Sequence, residues 1–328
     1  MGRKHEWLWF APNSRRPARA KHTKGPMTTK FEQCQHWVET HRDVLFDCLR
    51  IYLGVGLFIK GIYFLMHPEL FAQFTNVAAN SWLVPLAWAV PYVHMLGGAL
   101  LALGVFAWLG ALIQLPVLIG AVFFVNLPHM IDTEGREAVE FSALVLFLVF
   151  LIFLRSFLPG ANPLSILQLR KGQSALAAGE ARVSGGHDDL FVDLIRIYLG
   201  IGLLIKGVYF MEHREHLVKL LEESGGWVIV PVIAMHYVVP AHFAGGLLLA
   251  LGLITRLAAV VQLPILLGAS FYIYLPKLIS IEGRQNFEFT TLVLFLMALV
   301  TIHGSGCWSV DHLLSKRPAS ELDPTPAT

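Results

Sequence analysis

Polar and apolar positions along this chain are grouped in blocks and do not alternate. Apolar runs cover about residues 44–66, 83–107, 110–127, 138–157, 190–211, 228–253, 256–275 and 286–304. Most are close to the roughly 20 residues that a helix needs to span a hydrocarbon core. Runs of this length exceed ordinary strands and lack the period of two that marks a membrane barrel. They predict an all-α, polytopic membrane protein of about eight transmembrane helices.

The runs form two sets of four because the sequence repeats itself. Arg50-Ile-Tyr-Leu-Gly-Val-Gly-Leu-Phe-Ile-Lys-Gly-Ile-Tyr-Phe64 returns as Arg196-Ile-Tyr-Leu-Gly-Ile-Gly-Leu-Leu-Ile-Lys-Gly-Val-Tyr-Phe210, identical at twelve of fifteen positions. The correspondence continues from His94-Met-Leu-Gly-Gly to His242-Phe-Ala-Gly-Gly, from Gln114-Leu-Pro to Gln262-Leu-Pro, from Glu134-Gly-Arg136 to Glu282-Gly-Arg284, and from Glu140 to Glu288. Four helices separate equivalent positions, an even number, so both halves enter the membrane in the same sense. This predicts two tandem four-helix bundles related by a parallel pseudo-two-fold axis. The expected divisions are a tail over 1–41, a first module over 42–160, a polar linker over 161–187, a second module over 188–316 and a disordered end over 317–328.

Composition and charge agree with a membrane protein and orient it. The chain is 55% hydrophobic and only 15% charged, and nine Lys or Arg precede residue 43. Positive charge stays on the cytoplasmic side of a bilayer, so the reading is a multi-pass protein of the plasma (inner) membrane with both termini cytoplasmic. The tail reads as a largely disordered basic arm near anionic lipid; no folded domain accompanies it, which argues against nucleic acid as a partner. Cys34, Cys48 and Cys307 are far apart and form no Cys-x-x-Cys pair. Dithiol chemistry, a Cys-rich metal site, covalent haem attachment and an iron–sulfur cluster are therefore all disfavoured, and no metal site is assigned.

At this point the chain resembles the DoxX/DoxD-like family of small four-helix membrane proteins. The resemblance rests on Arg, Gly and Lys-Gly along the first helix, then Gly-Gly-x-x-Leu-Ala-Leu-Gly on the second, in two fused copies. What it implies is association with membrane redox chemistry, including subunits resembling those of thiosulfate:quinone oxidoreductases. It implies neither that this chain is itself an enzyme nor what its substrate is.

Ionisable residues inside long apolar runs are costly to keep and mark candidate sites. With α-helical rise, Lys60 lies about 9 Å below the outer end of its helix. His94 and Glu140 fall in the same band, and Lys206, His242 and Glu288 repeat it. Each triad is a candidate binding or proton-relay cluster, with Glu134, Arg136, Glu282 and Arg284 at its lip. Nearer the other face, Asp47 and Arg50 share a helix face at i,i+3 with Gln114 at a similar depth, and Asp193, Arg196 and Gln262 repeat them. These read as structural pairings, with Gln114 and Gln262 satisfying either neighbouring backbone, where Pro116 and Pro264 free carbonyls, or the arginine. Three functions are compatible with the outer clusters: a membrane subunit of a quinone-linked redox system with a partner subunit, which the family resemblance implies, a transporter or channel for a small solute or ion, and a non-catalytic assembly factor.

Overall fold

The computed structural model of the chain describes residues 42–69, 83–130, 133–157, 165, 187–222, 232, 234–278 and 280–315. The tail assigned to 1–41, most of the linker and the end over 317–328 lie outside them. The described residues are helical and contain no strand.

The first half begins with α1 (Arg42–Met66) and α2 (Leu83–Leu103). There follow α3 (Ala107–Gly120), which runs on through a wide π-helical turn to Asn126, and α4 (Thr133–Arg155). The second half repeats the order. It contains α5 (His187–Glu212), a short amphipathic α6 (Arg214–Glu222) and α7 (Gly246–Leu251), the last preceded by π-helical turns over 234–238 and 241–245. Then come α8 (Thr255–Leu267), with its own π-helical extension over 268–274, α9 (Ile281–His303) and the short α10 (Val310–Ser315). By length and composition, 44–66, 107–129, 135–155, 255–277 and 283–303 can each cross a membrane, and 88–103 and 235–251 are shorter apolar helices. Outward-facing Ile59, Leu96, Phe124 and Leu257 are more than half exposed, a surface suited to acyl chains and not to water.

Glycine lets the first two helices of each half touch backbone to backbone. A methyl group at Gly54 would collide with the Ala102 amide nitrogen, and one at Gly200 with that of Ala250. Gly56 and Gly202, on another face of the same helices, have open space. A tight left-handed turn then reverses the chain into the third helix. Gly104 and Gly252 both have φ of 69°, followed by Phe106 at 48° and Ile254 at 49°. Here glycine is required twice over, by the left-handed backbone and by the Arg50 or Arg196 guanidinium packed beside it.

A single apolar core crosses the boundary between halves. Leu144 and Leu148 of α4 and Leu292, Leu296 and Met297 of α9 are fully buried in it, and Phe46 of α1 meets Phe191 of α5 edge-on at 6.2 Å. Ser165, which falls in the expected linker, is buried against Gly104 as Ser309 is against Gly252. Ser165 is thus in contact with the left-handed turn of the first half.

Candidate functional site

Two kinds of polar site occur, at opposite ends of the first helix of each half. At its start, Arg50 and Asp47 are buried, with Arg50 Nε donating to Asp47 Oδ1 at 2.9 Å. Arg50 Nη1 also donates to the carbonyls of Leu101 and Ala102 in the last turn of α2, where helical donors run out. In the second half, Arg196 and Asp193 are wholly inaccessible. Arg196 binds Asp193 at 3.0 Å, the Leu249 and Ala250 carbonyls at 2.6 and 3.2 Å, and the Trp308 carbonyl at 2.7 Å. Asp193 Oδ2 in turn accepts from the Trp308 amide at 2.8 Å. The loop from Gly304 to Ser309 passes so close that a methyl group at Gly306 would collide with the Asp193 carboxyl group. These residues clasp the first helix to the end of the second.

Gln114 and Gln262 do not join those pairs; of the two partners expected for them, the arginine or neighbouring backbone, they take the backbone. The third helix starts beside the arginine, and Gln114 lies seven residues along it, about 10 Å toward the other end at 1.5 Å per residue. Its Nε2 donates to the Val93 and His94 carbonyls, so its Oε1 faces the His94 ring and accepts from Nδ1 at 2.7 Å. Gln262 Nε2 donates to the Ala241 carbonyl at 2.5 Å, while His242 Nδ1 donates to the Val238 carbonyl at 2.9 Å. Both histidines are buried, and their acceptor partners place a proton on Nδ1, so that in the neutral ring Nε2 is the acceptor. His94 lies alongside Phe64 at 6.0 Å between centroids, and His242 meets Phe210 edge-on at 5.5 Å.

The lysine clusters are assembled crosswise. Sequence depth groups Lys60 with Glu140 and Lys206 with Glu288, but Lys206 Nζ lies 3.0 Å from Glu140 Oε2, across the boundary between halves. Lys60 is within electrostatic reach of Glu288 and Arg284, both from α9. The physical reason is that α4 and α9 pack in the central core, and each presents its first turns to the opposite half's first helix. Related contacts repeat the pattern. Arg136 covers the Tyr209 ring at 3.8 Å and Arg284 covers Tyr63 at 3.8 Å, while Tyr52 donates to the Glu288 carbonyl at 3.2 Å and Phe147 stacks on Tyr198 at 4.4 Å. Such reciprocity is the mark of an isologous pairing. The lip glycines help to set it, since a methyl group at Gly135 or Gly283 would collide with the His129 or Lys277 carbonyl oxygen. The Glu134 and Glu282 side chains lie outside the described residues.

Two residues that the sequence pattern does not single out complete the Lys206 cluster. Glu137 lies 3.8 Å from Lys206 Nζ and accepts from Asn286 Nδ2 at 2.7 Å, a second link between α4 and α9. Arg136 Nε donates to Glu140 at 3.0 Å. The signal for them lies in the repeat: Glu137 and Asn286 stand where the other copy has Gln285 and Ala138. Among the described residues no group of three His, Cys, Asp or Glu side chains is arranged to hold a metal ion.

Fold and site together define an all-α, multi-pass membrane protein made of two tandem modules that complete each other's polar sites. The DoxX family model matches residues 45–127 and again 191–275, about half of the chain, and the protein belongs to the DoxX family. No curated protein and no solved structure matches it.

Proposed function

We propose that this chain is a membrane subunit of a quinone-linked redox system, in which the crosswise Lys/His/Glu clusters receive the polar head of the quinone and exchange protons with it. The carrying observation is the juxtaposition, within a membrane-spanning core, of an ammonium group, a carboxylate and a histidine with an acceptor Nε2. On the Lys60 side the residues present suit such a head group. Lys60 has aromatic walls in Phe64 and Phe141, 5.8 and 5.5 Å from its Nζ, and His94 lies behind Phe64. Quinone, when bound, supplies two-electron acceptance coupled to protons. Lys60 would donate a hydrogen bond to a ring oxygen, and His94 Nε2 and Glu288 would hold or pass protons. The electron source on this reading is a partner subunit.

The nine basic residues up to Arg42, the first residue of α1, support a plasma-membrane orientation with the Arg50 end cytoplasmic, which puts the lysine clusters toward the opposite face. The test is to extract the chain gently from its membrane and measure co-purifying quinone per chain. Wild type should retain quinone, and a folded Lys60→Gln/Lys206→Gln double variant should lose it together with quinone-dependent turnover. Equal quinone content in the two would reject the assignment. A second reading, in which the charges serve only to lock the modules together, is favoured by the closed Lys206 cluster; it predicts that apolar replacements leave cellular function intact.

A further inference from the structure

The two lysine clusters have the same origin but different charge. At Lys206, the described side chains are Lys206 and Arg136 against Glu137 and Glu140, two of each sign. These are mutually bonded, and each is less than a quarter exposed. At Lys60, the corresponding set among the described side chains is Lys60 and Arg284 against Glu288, because Gln285 stands where the other copy has the second carboxylate and Ala138 where it has the asparagine that holds it. Arg284 and Glu288 are 3.9 Å apart and about a third exposed, a looser and more open pair. Lys60 makes no ion pair or hydrogen bond among the described residues; its neighbours there are the faces of Phe64 and Phe141. Two cations facing one carboxylate in a largely apolar surround leave positive charge uncompensated, which is costly, and a bound negative charge relieves the cost.

We infer that the Lys60 cluster, and not its duplicate at Lys206, is a binding site for a singly or doubly charged oxyanion, held by Lys60 and Arg284 in the place that Glu137 fills in the other copy. The ligand chemistry is that of a phosphate or related oxyanion, presented either as a lipid head group or free from water. Arginine offers paired donors to such a group and lysine a point charge. Aromatic rings lie under both cations, Phe64 and Phe141 under Lys60 and Tyr63 under Arg284. The two copies thus differ by one carboxylate, which closes one as a structural lock and leaves the other open as a receptor. The inference concerns the site of the redox proposal but rests on its charge, so a chain that binds oxyanion and no quinone would keep the one and lose the other.

The full-length chain, purified in uncharged detergent, is titrated with phosphatidylglycerol and with phosphatidylcholine under native mass spectrometry, and with labelled inorganic phosphate in equilibrium dialysis. Wild type should take one equivalent of anion in preference to zwitterionic lipid. Lys60→Gln should weaken that binding about tenfold or more, as expected for loss of a close charge at low dielectric. Gln285→Glu, which restores the missing carboxylate and leaves Lys60 in place, should weaken it similarly while the chain stays folded. Selectivity for phosphatidylglycerol with no uptake of inorganic phosphate assigns the site to lipid; the reverse assigns it to a soluble oxyanion. The inference is overturned if wild type shows no preferred anion, if it takes two equivalents, or if a folded Gln285→Glu chain binds as tightly as wild type.

Discussion

Replacing Arg196 with methionine is expected to lower stability by about 3–5 kcal/mol, the cost of leaving one partner of a buried ion pair alone. No other single change at the polar sites should cost more. Arg196 neutralises a wholly buried Asp193 and satisfies three carbonyls, two ending α7 and one from Trp308. Its removal leaves Asp193 with the Trp308 amide but no countercharge, and takes a donor from each of the three carbonyls in an apolar core, where an unmet group costs about 1–3 kcal/mol. The loop beneath α5 should loosen as well, because Asp193 holds it through the Trp308 amide. Detergent-extracted Arg196→Met protein should show a sharply lowered thermal midpoint. The Asp193→Asn/Arg196→Met double variant should recover part of the loss, since no unpaired buried charge then remains. An Arg196→Met chain as stable as wild type would show that the clasp is dispensable.

The second large effect is expected at Glu140. Glu140→Gln removes the shared partner of Lys206 and Arg136, with Lys206 left only the more distant Glu137 at 3.8 Å. The groups are largely but not wholly buried, so the cost should fall between that of a surface pair and a buried one, about 1–3 kcal/mol. The matching change in the other copy, Glu288→Gln, should cost at most about 1 kcal/mol, because the Arg284 pair is long and a third exposed. Thermal midpoints of the two variants, measured side by side, give the comparison. Equal losses would contradict the division into a closed and an open cluster.

Much of the architecture can be read from residue order alone. Apolar runs and their duplication in one orientation announce an all-α membrane protein of two modules, and the recurrence of Arg50 and Lys60 at Arg196 and Lys206 marks both polar levels. The partners of those charges are harder to read. Counting residues from helix ends gives depth but not azimuth, so Lys60 and Glu140 share a level without sharing a cluster. Only the packing of α4 against α9 reveals that each carboxylate serves the opposite half. Gln114 eludes the count for a related reason: its helix begins at the Arg50 end, and seven residues carry it up to His94. Attention to what the copies share also conceals what they do not. Glu137 and Asn286 are departures from the repeat, and those departures distinguish the two clusters.

The central claim is that each lysine is completed by the other half. Its most direct test places cysteine pairs in a chain whose own Cys34, Cys48 and Cys307 are changed to serine, with a protease site inserted in the segment 166–186. After treatment in membranes with a short bifunctional thiol reagent and cleavage, the 140/206 and 60/288 cysteine pairs should hold the two halves together on a denaturing gel. Halves that separate for both of those pairs, while 60/140 and 206/288 pairs link within a half, would contradict it.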